Sequence, residues 1–165
     1  MIEFVLKDRR LRLYPDGTIA SRAIMCGEET KTEIWNEIKF TKNNGYLKCA
    51  LYIDGVRRRF LKHRILHLAR NPAWDIFDSS QNNYIDHKNH DTTDNTDSNL
   101  RIVTHQQNQF NKSNVKGYYW HKKNKKWQAQ IQVDRKNIYL GLFEKEDDAA
   151  AAYLEAKERL HIIPL

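Results

Sequence analysis

The sequence predicts an α+β chain in three segments: a β-rich stretch over 1–60, a strand–loop–strand–helix core over 61–112, and a three-stranded antiparallel sheet packed on one helix over 114–165. Three observations point there. Short alternating runs near the N-terminus break at Pro15-Asp16-Gly17, Asn44-Gly45 and Asp54-Gly55, which suit tight hairpin turns. Two β-prone runs, Tyr84-Ile85 and Arg101-Ile102-Val103, flank a loop of Asp, Asn and Thr with nothing to bury. Strict apolar–polar alternation over Trp127–Asp134 precedes an alanine-rich stretch of helical period. With 165 residues and 40% apolar content, the chain can form one or two small cores.

The elements follow in order. Leu11-Arg12-Leu13-Tyr14 and Thr18-Ile19-Ala20 read as a hairpin about Pro15-Asp16-Gly17. Tyr46–Ile53 reads as a strand, turned by Asp54-Gly55 into Val56–Phe60, a basic strand carrying Arg57, Arg58 and Arg59. His63–Arg70 carries the helical core positions Ile65, Leu66, Leu68 and Ala69, and Asn71-Pro72 stops it. His63 and His67 lie four residues apart on that helix. Without a third ligand they suit packing or phosphate contact better than zinc. Thr104-His105-Gln106-Gln107 matches a capping box, so a short helix starts there, with Asn108 just past its first turn.

The chemistry concentrates in Tyr84–Asn111. Asp86 and His87 are adjacent, and Asn99 and Asn108 follow twelve and twenty-one residues after the histidine. A carboxylate and a carboxamide offer oxygen donors, which suit Mg²⁺ or Mn²⁺. An imidazole titrates close to neutral pH and can take a proton from water. Each feature alone is weak, since Asp-His is common and an Asn-rich acidic loop is usually a solvated turn. Their joint spacing is specific.

That stretch, YIDHKNHDTTDNTDSNLRIVTHQQNQFNK, resembles the HNH nuclease family with its ββα-metal fold. The family pattern is an apolar strand ending in Asp-His or His-His, a polar loop, Asn-Leu, a second strand and a short helix ending in His or Asn. The resemblance implies His87 as general base, Asp86 and Asn108 as ligands of one divalent ion, and Asn99 bonding the His87 ring through its side-chain carbonyl. The family often has Arg after the Asp94-Asn95 pair, where this chain has Thr96. His90 is expected to be solvated in the loop, and His105 to sit at the first helical turn. The β-rich lead-in and the helix over His63–Arg70 resemble those preceding the nuclease motif in phage homing endonucleases.

A second resemblance covers 114–165. Lys116-Gly117-Tyr118-Tyr119-Trp120, Lys126–Ile131, Ile138–Phe143 and the alanine-rich helix look like the plant ethylene-response-factor (AP-two) DNA-binding domain. Alternation separately places Trp127, Ala129, Ile131 and Val133 on one face, with Ile138, Leu140 and Phe143. Ala149, Ala152, Tyr153, Ala156 and Leu160 form the helix's inner stripe. The opposite sheet face presents Lys116, Tyr119, His121, Gln128, Gln130, Gln132 and Tyr139, flanked by Lys122, Lys123, Lys125 and Lys126. Glutamine can bond adenine edges and lysine can neutralise phosphates. Phe110–Val115 reads as a linker.

Charge fits a polyanionic partner. The formal net charge is +7 and the pI about 9.4. Five basic residues and no acid lie between Arg57 and Arg64, and seven basic residues and one acid between Lys116 and Asn137. Binding through such clusters releases counterions and weakens steeply with salt. Cys26 and Cys49 show no CxxC spacing, so no structural zinc is expected, and they read as thiols of a reducing compartment. No apolar run approaches membrane-spanning length, and Met1-Ile2-Glu3 begins no signal peptide. A soluble, cytoplasmic protein is expected, in the host cell if phage-encoded.

These readings converge on a metal-dependent, site-directed endonuclease of the phage homing type. It would act on double-stranded DNA as a monomer, with no obligate protein partner and no membrane association. A non-cleaving DNA-binding regulator on the same scaffold, and a structure-specific or RNA-directed nuclease, are the alternatives.

Overall fold

The computed structural model describes residues 1–25, 28–29, 33–112 and 115–163, so Cys26 lies outside the described residues. Hairpins lay out the N-terminal part. Strands β1 (Ile2–Leu6), β2 (Arg9–Leu13) and β3 (Ile19–Arg22) pair antiparallel, and after a small ladder of β4 (Ile24–Met25) with β5 (Glu28–Glu29), β6 (Trp35–Glu37) completes a sheet in the order β1-β2-β3-β6. A second antiparallel sheet joins β7 (Thr41–Asn43), β8 (Tyr46–Ile53) and β9 (Val56–Leu61). Its turns place Asn44 and Gly45 at φ 49° and 84°, and Asp54 and Gly55 at 50° and 72°, the left-handed pairs that a two-residue hairpin needs. Helix α1 (Lys62–Arg70) follows directly and ends at Asn71.

One core closes these elements. Leu6, Leu11 and Ile19 from the first sheet, Leu51, Ile53 and Phe60 from the second, and Ile65, Leu66 and Leu68 from α1 are buried together, with Cys49 among them. Burial pushes the Cys49 thiol up to about 11, so it packs as a small apolar group. Arg57, Arg58 and Arg59 on β9 are all exposed.

The chain divides into two compact units: residues 1–80 with 87–101, and residues 81–86 with 102–165. Strands β10 (Tyr84–His87) and β11 (Leu100–Val103) form a two-stranded sheet; a 3₁₀ turn over Asp97–Asn99 precedes β11, and α2 (His105–Phe110) follows it. In the second unit, β12 (Tyr118–His121), β13 (Lys126–Val133) and β14 (Lys136–Phe143) form an antiparallel sheet in that order, and α3 (Glu146–Leu160) packs on it. The chain is thus α+β throughout, with small antiparallel sheets and a C-terminal sheet backed by a helix.

Register sets the faces of the C-terminal sheet. Ala129 and Ile131 are buried with Ala149, Tyr153 and Ala156 of α3. Gln128 pairs with Tyr119 and Gln130 with Tyr139, so these four side chains share the face turned away from α3. Close packing leaves no room at Gly117, where an added Cβ would lie 2.0 Å from the Tyr153 ring. Two expectations need correction. Ile138 pairs with Ile131 but is 40% exposed, because it lies on the edge strand β14, beyond a register shift opposite Ala129 and Gln130. Phe110 is no linker residue: it ends α2 and stacks on His161, with ring centroids 3.7 Å apart and planes within 8°.

Candidate active site

In the first unit, His87 ends β10 as a buried side chain. Its ring meets His63 of α1 edge-on at 5.0 Å and Tyr46 of β8 at 6.2 Å. The loop after it is built by its own side chains. Asp91 accepts from the backbone and hydroxyl of Thr93, Asp94 does the same for Thr96, and the Asn89 amide donates to Asp94. Those hydroxyl and amide donors hold both carboxyls below the usual carboxylate range. Thr92 ties the loop to the β7–β8 turn by donating to the Gly45 carbonyl at 2.6 Å.

The loop presents Asn95 to the imidazole. Oδ1 of Asn95 lies 3.1 Å from Nε2 of His87. An amide oxygen only accepts, so this contact is a hydrogen bond in the tautomer that carries the proton on Nε2. Asn99 is buried and braces the loop instead: its oxygen accepts from the Asn89 N–H at 3.0 Å, and its amide donates to the Asp94 carbonyl at 2.7 Å. The expected bond from the Asn99 carbonyl to the His87 ring is therefore replaced by one from Asn95. Two neighbouring carboxamides in one loop are interchangeable to a spacing argument, and the Asx turns decide which reaches the ring.

His63 is the other buried group here that composition did not mark. Burial, reinforced by His87, Arg64 and His67, pushes its imidazole down to about 3. His67 is lowered too, by burial first, and its ring packs edge-on against Trp74.

In the second unit, Asp86 is buried near the end of β10. Its Oδ1 accepts from the side-chain amide of Asn111, 2.9 Å away. Asn111 caps α2, and Asn108 lies three residues earlier, hence on the same helical face. The capping box that starts α2 is complete: Thr104 Oγ1 accepts from Gln107 N–H, and Gln107 Oε1 accepts from Thr104 N–H. The His105 ring, at the first turn, packs against Tyr84 at 5.1 Å. Spacing missed Asn111, although its position one turn after Asn108 was the available signal.

Residues 80–110 match the family model described as HNH endonuclease. The match identifies a nuclease. As such the protein is a phosphodiester hydrolase, and an HNH endonuclease segment implies DNA as substrate. No curated protein and no solved structure matches the chain. Among the described residues no helix is long and apolar enough to cross a membrane.

HNH nucleases generally use a divalent metal ion. Among the described residues no group of three or more His, Cys, Asp or Glu side chains stands ready for one. What this nuclease offers is one buried carboxylate, Asp86, oriented by a carboxamide, with a second carboxamide on the same face of α2. This oxygen set fits a hard cation that keeps waters and substrate oxygens in its shell, and not a soft or nitrogen-seeking one.

Proposed function

We propose that this nuclease is a metal-dependent, site-directed endonuclease of double-stranded DNA, of the homing type, with His87 as general base. The observation that carries the reading is the Asn95 bond to His87 Nε2, inside the segment that matches the HNH model. It holds in place the imidazole that would activate water at a phosphodiester.

Asp86 and Asn108 would hold Mg²⁺ or Mn²⁺, with Asn111 fixing the carboxylate's orientation. When bound, the cation would offset the charge of the phosphodiester and of the leaving 3′ oxygen. The chain's own steps are simpler. His87 takes a proton from water, Asn95 orients its ring, and Asn99 holds the loop that carries Asn95. His87 is braced by His63 and Tyr46, which limits its rotation and excludes water from one side of the ring.

The flanking sheets would hold the duplex. Arg57, Arg58 and Arg59 would supply phosphate contacts from the N-terminal segment, and Lys116, His121, Lys123 and Lys125 from the C-terminal segment. Tyr119, Gln128, Gln130, Gln132 and Tyr139 supply base-edge contacts, as the resemblance to the AP-two type of domain implies. The three segments 1–60, 61–112 and 114–165 are the functional divisions of this reading. One nuclease motif per chain, flanked in sequence by two unlike basic segments, favours nicking by a cytoplasmic monomer.

Plasmid and phage genomic DNA incubated with Mg²⁺ or Mn²⁺ test it. Cutting at defined positions is expected, abolished by EDTA, with RNA and branched DNA cut less well than duplex. General-base help is worth about 10²–10⁴-fold, so His87→Ala should lose that much rate and keep DNA affinity. Binding without cutting in either metal would leave a DNA-binding regulator instead.

A further inference from the structure

The second unit contains a cavity of about 840 Å³ whose lining includes Lys116, Tyr119, Gln130 and Gln132, assigned above to DNA contacts, together with α2 and Arg135, which that assignment leaves unused. It lies beside the edge of β13 past its pairing with β12. β12 pairs only with Lys126–Ala129, so beyond Ala129 that edge of β13 is met by the Gly117 carbonyl, which accepts from Gln130 N–H, and by His161. The other wall is α2. Helix geometry gives α2 two working faces: His105, Gln106, Gln109 and Phe110 turn to the cavity, while Asn108 and Asn111 point the opposite way. The cavity is thus about one helix diameter, roughly 10–12 Å, from Asp86.

Its chemistry is selective. Seven carboxamide side chains line it, among them Gln106, Gln109, Gln130 and Gln132. Carboxamides pair donor with acceptor, as the edges of nucleobases do. Phe110 and Tyr119 add rings on which a base can stack. Lys116 and Arg135 bring positive charge, and Asp134, the single carboxylate in the lining, can accept from an exocyclic amine. A volume of this size suits a small ligand.

The turn that delivers Arg135 is unusual. Asp134 and Arg135 sit at φ 50° and 62°, a left-handed pair whose second place is glycine in the Asn44-Gly45 and Asp54-Gly55 turns. An arginine at the glycine position of such a turn costs stability, and its side chain lines this cavity.

We infer that this cavity is a nucleotide-binding site, with the base held among the carboxamides and rings and the phosphate at Lys116 and Arg135. The nucleotide is either one unstacked from the strand being cut or a free mononucleotide. Only its first source rests on the nuclease reading; the recognition chemistry does not.

The test uses the full chain in EDTA with two fluorescent probes: 2-aminopurine deoxyriboside 5′-monophosphate, and a single-stranded trinucleotide with 2-aminopurine between thymidines. Saturable quenching, reversed by unlabelled dAMP or oligonucleotide, is expected. Tighter binding of the trinucleotide assigns the site to the substrate strand, and equal binding assigns it to a free nucleotide. Arg135→Gly should keep or raise the melting temperature, since glycine suits that φ, and weaken binding about tenfold or more. Gln106→Ala with Gln109→Ala should weaken it likewise. No quenching by either probe, or unchanged affinity in both variants, overturns the inference. Plasmid cutting run in parallel separates the two readings: quenching without cutting sinks the nuclease mechanism and keeps this site, and cutting without quenching does the reverse.

Discussion

Acidification should weaken the first unit through His63. The side chain is 5% exposed, packed against His87 and Tyr46, with Arg64 and His67 beside it on α1. Its folded value is pushed down to about 3, chiefly by burial. In the unfolded chain a histidine titrates near 6.5, so below that pH the unfolded state takes up a proton that the native state refuses. The stabilisation from keeping His63 neutral is therefore complete above about pH 6.5 and is lost progressively as the pH falls toward about 3. Between pH 6.5 and 5 the slope of about 1.4 kcal/mol per pH unit gives a loss of about 2 kcal/mol. That is a large share of a domain stability of roughly 5–15 kcal/mol. His67 works in the same direction, so the comparison must isolate His63. His63→Phe keeps a ring in the space and removes the titration. Urea unfolding at pH 7.5 and 5.0, followed by circular dichroism, should show wild type losing about 2 kcal/mol more than the variant. Equal losses would refute the argument.

Asn95→Ala should lower kcat about tenfold or more without weakening DNA binding, because it removes the acceptor that orients the His87 ring; Asn95→Asp, which keeps an oxygen there, should recover part of the rate. Asn111→Ala should raise the Mn²⁺ concentration needed for half-maximal cutting by about 10–100-fold, since it removes a hydrogen bond that orients the Asp86 carboxylate; an unchanged metal titration would remove Asn111 from the site. Gly117→Ala forces a methyl group into the Tyr153 ring and should cost the second unit about 1–3 kcal/mol or more, read as a lower melting temperature.

What the sequence reveals here follows from how local each interaction is. The Asn-Gly and Asp-Gly turns, the Thr104 capping box and the stop at Asn71-Pro72 are decided within a few residues, and each stands where the pattern puts it. The alternation of β13 also translates directly into buried Ala129 and Ile131. β1 went unread because its turn uses Lys7, at φ 56°, in place of glycine, and because Val5 is exposed. Asn95 and Asn111 were invisible for a different reason. Their roles depend on how the Asx turns and the end of α2 aim one amide among several, which spacing does not encode. His63 was legible as a helix residue but not as a neighbour of His87, since that contact joins residues 24 positions apart in the chain.

α2 shows why the C-terminal segment matters to the chemistry even apart from DNA contacts. A helix of six residues is unstable alone, because nucleation costs more than so few hydrogen bonds return. Among the contacts that hold it, three stand out: the capping box at its start, the Asn111 bond to Asp86 at its end, and the Phe110 stack on His161 just beyond α3. Two of the three lie within the nuclease motif, and the third reaches the C-terminal segment inside the same compact unit. The orientation of Asn108 and Asn111 therefore depends on a ring stack some fifty residues away, His161 against Phe110. Loosening that stack should degrade the geometry at Asp86 even though no group near the phosphate is touched.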